Sequence, residues 1–131
     1  MIDRVQFRGP SGRGVAVGGA GNATVTGYSQ PISGRVLAVS VMYVDEPPVT
    51  TDLLVYDEND PTADPIVQLF NTNTDRKLYP RRAISAFDGA DILYSDAFPV
   101  YDHFIAYGRL SAVMGGADPG DSIELTVWLE R

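Results

Sequence analysis

The sequence predicts an all-β fold, a single-domain antiparallel sandwich or jelly roll of about eight strands with a Gly-rich N-terminal arm. Three observations predict it. Residues 121–131 read D-S-I-E-L-T-V-W-L-E-R, with Ile123, Leu125, Val127 and Leu129 on one face and Glu124, Thr126, Trp128 and Glu130 on the other. Side chains alternate across a strand with a period of two, so this is a strand with one buried face and one largely wet face. Residues 35–44 form a second, longer β run, and Gly, Pro, Asn and Asp interrupt the chain at short intervals. No long segment carries the periodicity of an amphipathic helix.

Residues 1–21 read as the arm. Gly9, Gly12, Gly14, Gly18, Gly19 and Gly21 crowd one window between strand-like stretches at 4–8 and 22–29. Glycine loses the most backbone freedom on ordering, so this segment reads either as a loop or as an arm that orders against a partner. Residues 22–131 read as the sandwich. Within 35–44, Leu37, Val39, Val41 and Tyr43 alternate with Val36, Ala38, Ser40 and Met42. Both sets are fairly apolar, which suits a central strand covered on both faces. Asp45-Glu46-Pro47-Pro48 ends it, because proline cannot donate to a ladder. Strands at 51–57 and 66–70 flank a polar turn at 58–65, and Asn71-Thr72-Asn73-Thr74-Asp75 is a second turn-rich connection. Short strands are expected at 82–87 and 91–95 around Asp88-Gly89, with a single helical turn near 81–86 as the alternative. Residues 100–113 form another strong β region, in which Gly108 marks a bulge or a close backbone approach. Residues 114–120 turn the chain into its last strand.

At 131 residues this is one domain, long enough to bury roughly two-thirds of its unfolded surface. Cysteine is absent, so stability must come from packing or from partner subunits. The first residues lack the apolar core of a signal peptide, and no apolar run approaches the ~20 residues needed to span a bilayer. The net charge of −7, from 17 acidic and 10 basic side chains, repels nucleic-acid phosphates and anionic membranes, so neither is an expected partner. All but one of the 10 basic residues are Arg, the exception being Lys77. Arginine favours planar, bidentate ion pairs at interfaces, although GC-rich coding gives the same bias.

Catalytic chemistry is poorly represented. The one histidine, His103, stands beside Asp102, but no nucleophile-elbow pattern accompanies any serine. A lone histidine among Tyr101, Phe104 and Tyr107 reads as a packed or edge residue, and it excludes a two-histidine zinc site. No enzyme activity and no cofactor are expected. Asp57, Glu58, Asn59, Asp60 and Asp64 put hard oxygen ligands on one turn, yet they lack EF-hand spacing, and such residues commonly close turns on their own backbone. Trp128 lies on the polar face of its strand, where it is an interface anchor, the lid of a second core or a sugar-stacking platform; Tyr28, Tyr43 and Tyr56 are further aromatic candidates. Arg76, Lys77, Arg81 and Arg82 bracket Tyr79-Pro80 and form the one positive concentration, suited to an acidic partner or an acidic patch of a neighbouring copy.

Four stretches together carry a family resemblance: Gly34 to Val41, Thr51 to Tyr56, the Leu78-Tyr79-Pro80-Arg81 corner, and Ala117 to Ser122 before the final strand. In their style of strand and turn, over most of residues 22–131, the chain resembles the jelly-roll decoration or cement proteins of tailed-bacteriophage heads. The resemblance implies a structural virion protein, made in the host cytoplasm and placed on the capsid exterior. It further implies a homotrimer that binds the major capsid protein and bridges neighbouring subunits. That family has no fixed functional motif, so no site residue is carried over from it. The partner-binding candidates are instead Arg4, Phe7, Arg8 and Arg13 in the arm, Arg76, Lys77, Arg81 and Arg82 in the basic corner, and Trp128. The alternative is a carbohydrate-binding β-sandwich, with Trp128 as the sugar platform and the 57–64 loop as an assisting calcium site.

Overall fold

The computed structural model describes residues 2–8, 16–44, 46–60, 62, 64–83, 89–90, 93–95, 98–99 and 101–130. Every regular element among them is a strand: β1 (Ile2–Arg8), β2 (Ala23–Tyr28), β3 (Ile32–Val44), β4 (Asp52–Asp57), β5 (Pro65–Leu69), β6 (Arg76–Leu78), β7 (Arg82–Ala83), β8 (Leu93–Ser95), β9 (Phe98–Pro99), β10 (Tyr101–Asp102), β11 (Ile105–Gly108), β12 (Leu110–Ala117) and β13 (Ser122–Glu130). They build a five-stranded sheet in the order β1-β13-β3-β11, with β6 also on β3, and a four-stranded sheet in the order β2-β12-β4-β5. Two short ribbons, β7–β10 and β8–β9, complete the set. The chain passes repeatedly from one large sheet to the other, as a jelly roll does, and all ladders are antiparallel. The expected all-β sandwich is the observed fold.

The last strand is the centre of its sheet, paired with β1 on one side and β3 on the other. Ile123, Leu125, Val127 and Leu129 all have 0% exposure, and they meet Leu53, Val55, Leu110, Ala112 and Met114 of the four-stranded sheet in one core. A register shift falls between Trp128, opposite Ala38, and Leu129, opposite Val36, leaving Leu37 as the extra residue of a β-bulge. The bulge resolves the doubly apolar pattern of this strand. Val36 lies on one side of it and Val39 and Val41 on the other, yet all three reach the core, which a regular period of two forbids. Met42 remains 50% exposed, so the expectation of a strand covered on both faces is corrected.

The stretch at 100–113 divides where the chain changes sheets, between β11 and β12. Gly108 sits at this corner with φ of +126°, and a Cβ there would collide with the Asn59 side chain. The expected close approach is therefore real. Beside it, the buried Asp57 carboxylate accepts the Asn59 N–H at 2.9 Å and the Tyr107 N–H at 2.7 Å, tying β4 to β11 across the end of the sandwich. The helical turn considered near 81–86 is replaced by β7 at its start, and residues 84–86 lie outside the described residues.

The 1–21 segment does not stand apart as a single arm. Its first part is β1, which lies in register with β13 from Ile2↔Glu130 to Arg8↔Glu124. Its last part is held by the turn before β13. Ala16 is buried, donates to Asp121 O at 2.8 Å and accepts from Gly120 N at 2.9 Å, while Gly21 N donates to the Asp118 carboxylate at 2.9 Å. The physical reason is the ladder: the backbone groups on the outer edge of β13 find partners in β1. Residues 9–15, including Arg13, lie outside the described residues.

Two expectations follow. Leu125→Ala empties a site closed on both sides and should cost about 2–5 kcal/mol in urea denaturation, against under about 0.5 kcal/mol for an exposed substitution such as Thr24→Ala. Arg35 and Glu130 are cross-strand partners joined by a hydrogen-bonded ion pair, and Arg35 holds the Glu130 carboxyl below its usual range, first by that bond and then by its charge. A lowered folded-state value stabilises above the unfolded value and is lost as pH falls through the folded one. Melting temperature should therefore hold above about pH 5 and fall below about pH 4, with Glu130→Gln losing less over that interval than the parent chain.

Candidate functional site

The pleat of β13 that sends four aliphatic residues inward sends Glu124, Thr126, Trp128 and Glu130 outward. Neighbouring strands set the rows. Arg4 of β1 lies opposite Trp128, which lies opposite Ala38 of β3; in the next row Thr126 faces Ser40, and Ser40 faces Lys77 of β6. Lys77 reaches back over the tryptophan. Its Nζ lies 4.4 Å from the centre of the Trp128 ring and 5.8 Å from that of Tyr79. A cation over an indole face is attracted by the ring quadrupole, worth about 0.5–1 kcal/mol at exposed sites.

The outer face of the five-stranded sheet thus carries a cationic and aromatic corner. Lys77 sits over Trp128 with Arg4 opposite it in register, and the exposed Tyr79 lies under the same Lys77 ammonium; Met42, also exposed, lies further along β3 opposite Glu124. Arg76 donates to the Thr72 hydroxyl at 3.3 Å, and Arg81 donates to the Pro80 carbonyl at 2.8 Å and to the Leu37 carbonyl at 3.5 Å. The Arg81 contact uses the residue that the bulge displaces, so the bulge that organises the core also seats a cation at the corner. Proline at 80 suits this short link, since the chain leaves the β3 edge there and Pro80 itself is buried.

Of the residues expected from sequence, the structure brings together Arg4, Lys77 and Trp128, with Arg76 and Arg81 on the same edge. Arg82 stands apart. It lies on β7, where it pairs with Asp64 at 3.3 Å and has its guanidinium 5.7 Å from the Phe104 ring centre. Phe7 and Arg8 continue β1 opposite Leu125 and Glu124, while Arg13 lies outside the described residues. Sequence reasoning put Thr126 on the face of Trp128 and Ser40 with Ala38, but not the two faces side by side. Each shares the period-two parity of Trp128 or of its partner Ala38.

The 57–64 loop uses its oxygens on itself. Asp57 takes the two N–H groups named above; Asp60 accepts the Thr62 N–H at 2.9 Å, the Thr62 hydroxyl at 2.7 Å and the Asp64 N–H at 3.4 Å. Bonds to Thr62 hold the Asp60 carboxyl below its ordinary value. Glu58 pairs with Arg109, whose guanidinium lies 3.9 Å from the Tyr28 ring centre. This is a turn whose side chains close on backbone and neighbouring cations. Among the described residues no three of His, Cys, Asp and Glu converge as metal ligands. His103 is half-buried beside Phe104, and its Nδ1 has no hydrogen-bond partner.

No family model matches the chain, and no curated protein does. A solved structure described as "CBM4 structure and function" matches with a TM-score of 0.31 and 12% identity, over 97% of this chain and 90% of that one. At that TM-score the likeness carries no functional argument.

Trp128 is the chain's one tryptophan, so its fluorescence reports the corner directly. Lys77→Met should expose the indole face, raise acrylamide quenching and leave the urea midpoint within about 1 kcal/mol of the parent.

Proposed function

We propose that the protein is a non-catalytic interaction module that decorates the exterior of an assembled phage capsid and stabilises it by bridging capsid subunits. The observation that carries this reading is Lys77 over Trp128, with Arg4 opposite Trp128 in register, on a chain whose net charge is −7. A cationic patch on an otherwise acidic body selects an acidic protein surface and repels copies of itself presented in the wrong orientation. Tryptophan and arginine are the side chains that carry most of the energy at such interfaces. The partner's identity comes from the resemblance of the strand and turn pattern to capsid decoration proteins. A homotrimer follows from the same source. Binding that requires the assembled shell stabilises that shell by mass action.

The sugar-and-calcium alternative, as placed on Trp128 and the 57–64 loop, gains no support from their geometry. Lys77 covers one side of the indole, Asp57 and Asp60 accept backbone N–H groups, and Glu58 and Asp64 pair with Arg109 and Arg82.

Co-sedimentation with shells assembled from the major capsid protein tests the reading. The parent chain is expected to sediment with the shells, and Lys77→Glu combined with Arg81→Glu is expected to weaken this by at least about tenfold with an unchanged urea midpoint. A double variant that decorates as well as the parent would remove the corner from the mechanism. A parent chain that never sediments would overturn the capsid reading itself.

A further inference from the structure

β11 is the last strand on its side of the five-stranded sheet, with β3 as its neighbour. Backbone parity fixes what its other side offers. The Phe104 carbonyl accepts from Val36 N at 2.8 Å, toward β3, so the backbone groups of residues 105 and 107 turn away from β3. A sheet edge of this kind is a template for a further strand. Ile105 and Tyr107, 54% and 61% exposed, add apolar surface to it.

The turn after β4 occupies this edge with side chains. The Asp57 carboxylate accepts the Tyr107 N–H at 2.7 Å, and the Asn59 amide donates to the Tyr107 carbonyl. Donor and acceptor of one residue are thus both satisfied, as a neighbouring strand would satisfy them. The turn's own backbone adds a third bond, from Glu58 N–H to the Arg109 carbonyl at 3.2 Å. Asp57 also accepts the Asn59 N–H at 2.9 Å, which locks the two side chains into one turn. Gly108 lacks the Cβ that the Asn59 side chain would meet.

We infer that Asp57 and Asn59 guard the β11 edge, and that the partner they keep out is the same edge of a second copy. Two identical edges paired antiparallel are related by a two-fold axis. Each then offers the other the same donors, the same acceptors and the same exposed Ile105 and Tyr107, so no other complementary surface is needed. Removing either side chain leaves a backbone group of Tyr107 open to that second strand. The inference is independent of the capsid reading, which concerns the corner at Trp128.

Light scattering on the full chain across a concentration series, combined with amide hydrogen exchange, tests it. The parent chain is expected to keep one mass throughout. Asn59→Ala is expected to add a species of twice that mass, with exchange at Ile105 slowed at least about tenfold from the dilute to the concentrated end. Asn59→Leu keeps the shape of the side chain without its donor and should do the same, should the alanine variant fail to fold. Adding Ile105→Glu to either should restore the parent's mass, because a charge on an edge strand opposes pairing. Folded Asn59 variants that keep the parent's mass would overturn the proposal. So would association that survives Ile105→Glu, or that leaves exchange at Ile105 unchanged. Loss of folding in both Asn59 variants would make the contact a structural one and overturn it equally.

Discussion

The structure hangs on the pairing of one strand. β13 is hydrogen-bonded on both edges, to β1 and to β3, and it supplies four fully buried aliphatic side chains to the core. With no disulfide, this ladder and the apolar surface beneath it hold the first described strand to the last. The Asp118–Asp121 turn leading into β13 does the same for the segment before β2, through Ala16 and Gly21. The C-terminal strand therefore organises the N-terminal one, and both ends of the chain share one cooperative unit.

The geometry of the corner depends on the same pleat. Because Leu125, Val127 and Leu129 must face inward, Trp128 must face out, where water would otherwise meet a large apolar ring. Lys77 from β6 is placed over it through the Val39–Val41 ladder, and the bulge at Leu37 turns a carbonyl toward Arg81. A core constraint and a surface charge are thus coupled through β3. Substitutions that remove the bulge would shift the register of β3 beyond it and carry inward residues outward.

Much of this was legible in the sequence, for identifiable reasons. The parity of Ile123, Leu125, Val127 and Leu129 announced both the buried face of β13 and the outward position of Trp128. Gly108 announced a close approach, which the Asn59 side chain makes. The bulge at Leu37 was not legible, because a run apolar on both faces hides the extra residue that reverses its parity. β1 was hard to place for the opposite reason: its seven residues (Ile2–Arg8) sit beside a glycine-rich stretch, and only the unpaired edge of a strand more than a hundred residues away gives them a partner. At the site, Arg76, Lys77, Arg81 and Arg82 read as one basic cluster because they are neighbours in sequence. Pro80 separates them in space, and Asp64 claims Arg82.

The two outer faces of the sandwich are chemically different, one carrying Lys77 over Trp128, the other Tyr28, Tyr56 and Asp52. On the proposed reading, the first of them meets the shell. Hydroxyl-radical footprinting of the free and the shell-bound protein tests it most directly, because tryptophan, methionine and tyrosine side chains report their own solvent exposure. Oxidation of Trp128 and Tyr79 is expected to fall on decoration, while that of Tyr28, on the four-stranded sheet, stays unchanged. Protection of Tyr28 with Trp128 left open would contradict this and hand the shell to the outer face of the four-stranded sheet.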